Sequence, residues 1–310
     1  MRESSPQPVT PERWRIATAF AAVYVFWGST YLGIRLAVET LPPFSMAGAR
    51  ALAAGALLYA WARWRGAPRP ERIHWRAAAI VGGFLLLGGN GLVSWAEQRI
   101  PSGISALIVG STPLWMVLLE WLWHSGPRPT FGIVSGLIVG FIGLGFLVAP
   151  GRLGNETHID LIGAGALLLA AFLWASGSLY ARRARLPSSQ LMATAVELLA
   201  GGVLLLFTGG AVGEWMRFDP ARVALHSIIA WAYLTIFGSL VGFTAYVWLL
   251  NATTPARAST YAYVNPIVAV LLGWAFAAEP ITGRTLLAAA GIILAVVIIV
   301  THSHETPVEA

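Results

Sequence analysis

Residues 91–127 (GLVSWAEQRIPSGISALIVGSTPLWMVLLEWLWHSGP) recur in altered form at residues 244–280 (TAYVWLLNATTPARASTYAYVNPIVAVLLGWAFAAEP). A shift of 153 positions aligns four rare residues of the first stretch with identical residues of the second, namely Trp95 with Trp248, Pro113 with Pro266, Trp121 with Trp274 and Pro127 with Pro280. Leu and Ala matches are common in so apolar a chain, whereas Trp and Pro matches are not. The chain therefore contains an internal repeat.

The repeat extends toward the N-terminus with a slightly different shift. A shift of 147 positions aligns 27–58 with 174–205 at 10 of 32 positions, including Trp27 with Trp174 and Arg35 with Arg182. The longer connection around Arg217 absorbs the six-residue difference between the two shifts. The two copies together cover most of the chain.

The composition predicts that lipid surrounds these repeats. Of the 310 residues, 57% are hydrophobic and 11% are charged, and the mean hydropathy is +0.69. Soluble domains carry roughly 25% charged residues. These values exclude a soluble enzyme, a disordered chain and a fibrous chain.

Ten apolar runs are separated by Pro, Arg or acidic residues, and each is near the ~20 residues that a helix needs to cross a bilayer. Their approximate limits are 15–36, 44–65, 75–98, 103–124, 130–149, 159–182, 190–209, 222–250, 256–278 and 284–301. Each copy of the repeat holds five runs. An odd number forces the second copy to enter the membrane upside down, as in many secondary transporters. The sequence thus predicts an all-α membrane protein of ten transmembrane helices in two inverted five-helix repeats.

The boundaries follow from these runs. We predict an N-terminal tail at 1–14, a first repeat at 15–149, a linker at 150–158, a second repeat at 159–301 and a C-terminal tail at 302–310. All 20 basic residues are Arg, and with the N-terminus inside, thirteen fall in cytoplasmic segments against six on the opposite side. This asymmetry predicts that both termini are cytoplasmic.

The distribution of these Arg residues also indicates which binding partners to expect. The Arg residues are scattered in short loops and form no clustered basic patch, so nucleic acid is not an expected partner. The chain has no Cys, which excludes disulfides and thiolate metal sites. Because one chain of ten helices can enclose a cavity, a monomer suffices.

Two stretches carry a family resemblance. They are 90–118, NGLVSWAEQRIPSGISALIVGSTPLWMVL, and 256–282, ARASTYAYVNPIVAVLLGWAFAAEPIT, each followed by an apolar helix. Both resemble the paired signature of the EamA family in the drug/metabolite transporter superfamily. The resemblance runs from about 16 to 301. The first copy departs from this family signature because it reads HSGPRPT at 124–130, so Glu279 of the second copy has no equivalent in the first.

The resemblance implies ten helices in two inverted bundles and the export of small metabolites, often amino acids, from the bacterial cytoplasm. It thereby implies a location in the cell inner membrane. It does not identify the substrate, because members of the family differ in cargo.

Aromatic and amide side chains are the substrate-binding candidates. The aromatics on helices that the resemblance places around the cavity, together with two amides, are Trp27, Asn90, Trp95, Trp174, Tyr246, Trp248, Tyr261, Tyr263 and Asn265. Aromatic walls suit amino acids or flat organic cations through stacking and cation–π contacts. The alternatives are lipid-facing positions for the aromatics and helix-to-helix hydrogen bonds for the amides.

The repeat-related Pro113 and Pro266 are the candidates for bends and gates. A proline in mid-span frees a backbone carbonyl, so the two broken helices would face one another near the midplane. A kink that only improves packing is the alternative reading.

Four charges lie within or near the spans: Arg50, Glu97, Glu120 and Glu197. Buried charges in a membrane usually face a cavity or a partner. Glu97 is the expected partner of Arg50 near the outer end, and Glu197 aligns with Arg50 in the repeat. We predict a charged cluster on each side, serving as gates or structural ion pairs. Glu97 and Glu197 are also candidates for proton-coupling carboxylates.

We therefore predict a secondary transporter that exports amino acids or related small metabolites by alternating access. The alternative in the same class is an exporter of toxic organic cations, disfavoured because no acidic residue falls at the midplane. An intramembrane enzyme lacks an acid–base or metal constellation, and the sequence holds no nucleotide-binding motif that would drive a pump. No cofactor or metal is expected. A channel or scaffold remains the other rival, and it would not show saturable exchange.

Overall fold

The computed structural model describes residues 13–124, 130–148, 160–253 and 261–302. Within these ranges the regular structure is entirely helical, with no strand. The predicted linker and most of both predicted tails lie outside the described residues. Helix already begins at Arg13, two residues before the predicted start of the first run.

The helices of the first half are α1 (Arg13–Ala37), α2 (Pro43–Trp64), α3 (Arg72–Ala96), α4 (Ser102–Val109), α5 (Thr112–His124) and α6 (Phe131–Val148). The second half contains α7 (Leu161–Ala181), α8 (Gln190–Ala211), the short α9 (Glu214–Arg217), α10 (Leu225–Tyr233, Leu234–Gly242 and Phe243–Ala252, continuous), α11 (Tyr261–Ala277) and α12 (Gly283–His302). Each of the ten predicted runs contains a helix. The fourth run is divided into α4 and α5.

Local sequence explains where several helices begin and end. Pro43 is the first residue of α2, where a missing N–H costs nothing. Gly66, just beyond the end of α2, has φ +84°, a left-handed conformation that suits Gly. The Asp160 carboxylate accepts a hydrogen bond from Ile162 N at 3.0 Å and so caps α7.

The surface of the bundle is apolar. Six helices in the described ranges are long and apolar enough to cross a membrane, and three shorter apolar helices lie at Phe131–Leu147, Val264–Ala277 and Gly283–Ile298. Large side chains such as Phe131 and Phe207 are exposed by 88% and 74%. A soluble protein rarely exposes so much contiguous apolar surface, so lipid is the natural solvent.

Glycines allow the two halves to pack closely. α2 packs along α8, and α6 packs along α12. A Cβ at Gly55 would lie 3.0 Å from Leu199 N, and a Cβ at Gly202 would lie 3.0 Å from Leu52 N. These two contacts are related by the 147-residue shift. Small residues at such crossings are what membrane helices use to approach one another.

Polar side chains and connections collect at one end of the bundle, which we call the polar end. The contacts that place them there are Glu39 with His226, Ser45 with Glu214, Arg99 with Asp160, Ser102 with Glu279 and Arg284 with Phe146 O. Every one of these contacts joins the first half of the chain to the second. The polar end is therefore held together across the repeat boundary.

Candidate substrate-binding site

A cavity lies between the two halves of the bundle. The centre of a water molecule can occupy about 100 Å³ of it. Its wall consists of residues from α1–α4, α7, α8, α10 and α11, with Thr112 at the start of α5. Among the described residues, α6 and α12 contribute nothing to the wall because they pack against each other outside it.

Some of the predicted site residues lie together at this cavity. The predicted residues that line it are Trp27, Arg50, Asn90, Trp174, Tyr261, Asn265 and Pro266. Tyr246 lies directly behind this wall, 4% exposed, with its ring 4.8 Å from that of Trp27. The side chain of Tyr263 lies outside the described residues.

An aromatic cluster forms one side of the cavity. The Trp27 ring meets the Trp174 ring edge to face with centroids 6.0 Å apart, and it meets the Tyr261 ring in the same manner at 5.2 Å. Trp27 Nε1 donates to Gly238 O at 3.2 Å. Such pairs prefer edge-to-face geometry. The cluster offers ring faces and edges for a bound molecule to contact.

Two glycines leave room for the indole rings of Trp27 and Trp174. A Cβ at Gly89 would lie 2.6 Å from Trp174 Cε3, and a Cβ at Gly242 would lie 2.7 Å from Trp27 Nε1. Gly89 and Gly242 are 153 positions apart, while Trp27 and Trp174 are 147 apart, so each contact is the repeat image of the other. Both indoles therefore sit where only a glycine leaves room.

Polar groups line the rest of the cavity. Arg50 Nη2 donates to Asn90 Oδ1 at 2.7 Å. Asn265 is 5% exposed, and its Oδ1 accepts no hydrogen bond from the described residues. An unsatisfied buried acceptor is costly, and a ligand entering the cavity could satisfy it.

Three π-helical segments contribute residues to the wall: Val23–Trp27, Gly83–Gly91 and Leu234–Gly242. The last two occupy corresponding positions in the two copies of the repeat. Extra residues in a helical turn are frequent at functional sites, because they redirect side chains and free backbone groups. The hydropathy pattern did not predict these segments, although glycine clusters such as GGFLLLGGNG at 82–91 were their signal.

The two predicted bends differ from each other. Pro266 lies inside α11 and lines the cavity, whereas Pro113 is the second residue of α5, does not line the cavity and breaks no hydrogen-bond ladder. The interruption in this span is at Gly110 and Ser111 instead. Ser111 Oγ donates to Ile108 O at 2.6 Å, a carbonyl that also accepts from Ser111 N at 3.1 Å. A Cβ at Gly110 would lie 3.1 Å from Pro266 Cγ, so the interruption between α4 and α5 is in contact with α11.

Trp95 and Trp248 do not line the cavity. Trp95 is in the last turn of α3, about 7.5 Å along the axis from Asn90, and its ring lies beneath Arg99 with Cζ 4.6 Å from the centroid. It borders a recess of the polar end. Trp248 packs against the buried cluster of Val23, Tyr246 and Leu249. Neither tryptophan lines the cavity, because the helices carry these residues past its level.

The expected charged clusters are also different. Arg50 bonds Asn90 rather than Glu97, since its guanidinium reaches the deeper level of Asn90. Glu97 is fully buried behind the cavity wall, and neither carboxylate oxygen accepts a hydrogen bond from the described residues. Glu197, 6% exposed, has no basic partner among the described residues, and its role in an inner charged cluster stays a prediction. Glu120 pairs with Arg182 at 3.4 Å, and both side chains are half exposed.

Two carboxylates outside the predicted set of site residues cap helices across the repeat boundary. Glu279 Oε1 and Oε2 accept from Ser102 N at 2.7 Å and Gly103 N at 3.0 Å, at the start of α4. Glu214 Oε1 and Oε2 accept from the backbone N–H groups of Phe44 and Ser45, at 3.0 Å and 2.8 Å. The signal was present in the sequence. α2 and α4 both follow a proline, which offers no side-chain cap, so their first N–H groups need outside acceptors.

The side chains of the cavity wall are suited to binding a ligand. The described residues contain no group of three or more His, Asp or Glu that could hold a metal ion. The wall instead combines aromatic rings, one guanidinium and amide groups. That combination can bind a small organic molecule with both a polar and an apolar part.

Comparisons with known proteins agree with this architecture. The chain is 39% identical over 290 residues to the "Uncharacterized inner membrane transporter YedA" of Escherichia coli (strain K12), a match covering 93% of this chain and 92% of that protein. It is 25% identical to the "Uncharacterized transporter YvbV" of Bacillus subtilis (strain 168), over 91% of this chain and 89% of the relative. A solved structure titled "Crystal structure of protein" shares the fold with a TM-score of 0.65 at 20% identity, covering 94% of this chain and 99% of that one.

The family comparison covers nearly the whole chain in two parts. The description "EamA-like transporter family" matches residues 14–149 and again residues 161–301. These two relatives are both named as transporters. The chain belongs to the EamA-like transporter family.

Proposed function

We propose that this protein is a secondary transporter that exports amino acids or related small metabolites by alternating access. The observation that carries the proposal is the cavity between the halves, at which the repeat-related Trp27 and Trp174 meet. A site shared by two inverted units can be exposed to either side by rocking one unit against the other.

The proposed architecture is ten membrane crossings in two inverted repeats, 15–149 and 159–301. Helix contacts that obey a pseudo-two-fold relation support it. α3 packs on α7 as α10 packs on α1, and α2 packs on α10 as α8 packs on α3. The two separate family matches, at 14–149 and 161–301, support the same division.

We propose the cell inner membrane as the location, with both termini in the cytoplasm. The name of the Escherichia coli relative supports the membrane, and the excess of Arg in segments of one side supports the orientation. In this orientation the polar end faces away from the cytoplasm. One chain encloses the cavity, so the proposed working unit is a monomer.

The cavity supports a small substrate. If one water-sized site takes about 10–15 Å³, then about 100 Å³ holds about seven to ten such sites. At about 30 Å³ of liquid volume per water, these sites correspond to about 200–300 Å³, enough room for an amino acid. The aromatic cluster favours a second candidate, an organic cation, through cation–π contacts. Arg50 opposes it, because a fixed cation in the same wall repels cationic cargo.

Proton coupling is a further part of the proposal. Glu97 is a fully buried carboxylate with no hydrogen-bond partner among the described residues, and Glu197 is 6% exposed. Buried carboxylates are the groups that relay protons in many carriers. Either residue can serve this role, which a pH gradient imposed across the vesicle membrane tests.

Exchange in proteoliposomes is the first prediction. With each amino acid loaded in turn, we expect accumulation of the labelled compound that saturates with concentration, and no such counterflow in protein-free vesicles. Flux rising linearly with concentration would identify a pore. Counterflow with a quaternary organic cation and with no amino acid would favour the second candidate.

The second prediction concerns the polar end as a gate. Glu214 and Glu279 each join a carboxylate of the second unit to a helix start of the first. Charge-assisted hydrogen bonds contribute about 1.5–3 kcal/mol each, so their loss should shift the equilibrium toward a state open at this end. We expect Glu279→Gln or Glu214→Gln to raise, by about tenfold, the rate at which an impermeant thiol reagent reaches a cysteine placed in the cavity by Ala51→Cys.

The chain has no native Cys, so this labelling has no background. Glu39→Gln is the matched control, because the Glu39–His226 pair lies at the same end but is about half exposed and contributes little. A cysteine at the exposed Arg222 reports which side the polar end faces. Equal labelling rates in the Glu279, Glu214 and Glu39 variants would contradict the gate.

A further inference from the structure

The Arg50 guanidinium lies in the cavity wall and forms no direct ion pair with a described residue. It is 5% exposed and lines the cavity from α2. Its Nη2 donates to the neutral Asn90 Oδ1, and its Nε has no hydrogen-bond partner in the part of the chain that the structure describes. Among the described residues, no carboxylate lies within 4 Å of it to form an ion pair. The buried Glu97 interacts with it electrostatically at longer range, so the cation is buried, without a direct ion pair, and adjacent to open space.

A buried cation in a membrane protein requires an anionic partner or a water-filled cavity. The planar guanidinium fork matches a carboxylate with two parallel hydrogen bonds, which an ammonium group does not reproduce. Asn90 fixes the orientation of the fork by holding one of its nitrogens. The site is therefore preorganised for a carboxylate.

Other residues of the same wall suit the remainder of such a molecule. Trp27, Trp174 and Tyr261 offer ring faces and edges to an apolar group, and Asn265 Oδ1 offers an acceptor to an amino group. These are the complementary contacts that an amino acid presents, with its carboxylate at one end. A simple organic cation would meet the same rings but would also meet the positive charge of Arg50.

We propose that Arg50, oriented by Asn90, anchors the carboxylate of the substrate, so that the cargo of this protein is limited to molecules bearing a free carboxylate. The inference rests on the proposed function, since it places the substrate in this cavity. It also makes Arg50 a specificity-determining residue rather than a member of a structural ion pair.

The test compares matched ligands that differ only in the carboxylate. Equilibrium binding to the detergent-solubilised full chain is measured with phenylalanine and phenethylamine, and with leucine and 3-methylbutylamine, alongside a panel of small carboxylic acids. We expect at least one carboxylate compound to bind more than tenfold tighter than its counterpart lacking the group. Arg50→Gln should reduce this ratio to within about threefold, while Arg50→Lys keeps part of it.

Arg182→Gln is the matched control, because this arginine is half exposed and paired with Glu120 away from the cavity. It should leave the ratio unchanged. The anchor is overturned if no carboxylate binds the wild-type protein, if the amines bind equally well, or if Arg50→Gln retains the discrimination.

Counterflow with the same compounds separates this inference from the proposed function. Carboxylate-selective binding without exchange would retain the anchor and overturn the transporter. Saturable exchange of amines as readily as of amino acids would retain the transporter and overturn the anchor.

Discussion

Alanine in place of Trp27 or Trp174 is expected to lower kcat/KM for exchange by more than tenfold in either variant. The two rings meet at the cavity, and Trp27 also contacts Tyr246 and Tyr261. Aromatic contacts contribute about 0.5–1.5 kcal/mol each beyond the burial of their area, and Trp27 loses several at once. The measurement is the initial rate of counterflow against substrate concentration, normalised to reconstituted protein.

The repeat supplies a matched control for this prediction. Trp121 and Trp274 are likewise related by the 153-residue shift, but they are 42% and 59% exposed and do not line the cavity. Trp121→Ala and Trp274→Ala should leave kcat/KM within about twofold. If all four variants lose activity equally, the effect belongs to membrane packing in general, and the proposed site is wrong.

Trp27→Phe separates two contributions of the indole. Phenylalanine keeps a ring against Tyr261 but cannot donate the hydrogen bond from Nε1 to Gly238 O. Recovery of most activity in this variant would assign the effect to stacking, and failure to recover would assign it to the hydrogen bond.

The helices could be predicted from the sequence because each run had to satisfy one strong constraint. Backbone groups in lipid must bond within their own helix, so twenty apolar residues between polar breaks fix an element regardless of its neighbours. The division of the fourth span did not follow from this argument. Pro113 suggested a break at its own position, but a proline at a helix start is compatible with the helix, and the break falls at Gly110 and Ser111.

The site was predictable where the repeat pointed to it. Trp27 and Trp174 align with one another, and both line the cavity. Trp95 and Trp248 align equally well, yet neither lines the cavity. Alignment within the repeat indicates that two residues have similar surroundings, but it does not indicate what those surroundings are. The depth of a residue along its helix and the register change in a π-helical segment decide which face it occupies. Neither was visible in the hydropathy pattern.

The charges were hardest to place for a related reason. A partner at the same depth is only one of several ways to satisfy a buried ion, and Arg50 uses the amide of Asn90 instead of Glu97. Glu214 and Glu279 were overlooked because they lie in connections, where acidic residues usually face water. Their role depends on helix starts far away in sequence, 170 residues from Glu214 to Phe44 and 177 from Glu279 to Ser102.

We expect Gly89→Ala and Gly242→Ala each to reduce exchange by more than tenfold, because the added methyl group displaces an indole into the cavity. The new Cβ would lie 2.6 Å from Trp174 Cε3 in the first variant and 2.7 Å from Trp27 Nε1 in the second. Overpacking typically costs about 1–3 kcal/mol. Gly145→Ala and Gly165→Ala are the controls, since a Cβ there meets nothing within 4 Å, and Ala favours a helix by up to about 1 kcal/mol relative to Gly.

Combining substitutions turns this prediction into a test of the inverted repeat. Residues in direct contact show coupled effects, whereas distant residues add independently. A smaller ring should therefore relieve the clash only when it replaces the contacted indole: Trp174→Phe should restore part of the activity lost in Gly89→Ala, and Trp27→Phe part of that lost in Gly242→Ala. The crossed combinations should restore nothing. Rescue in one half without its image in the other would mean that the two units do not share the cavity wall equally, and symmetrical alternating access would then lose its structural basis.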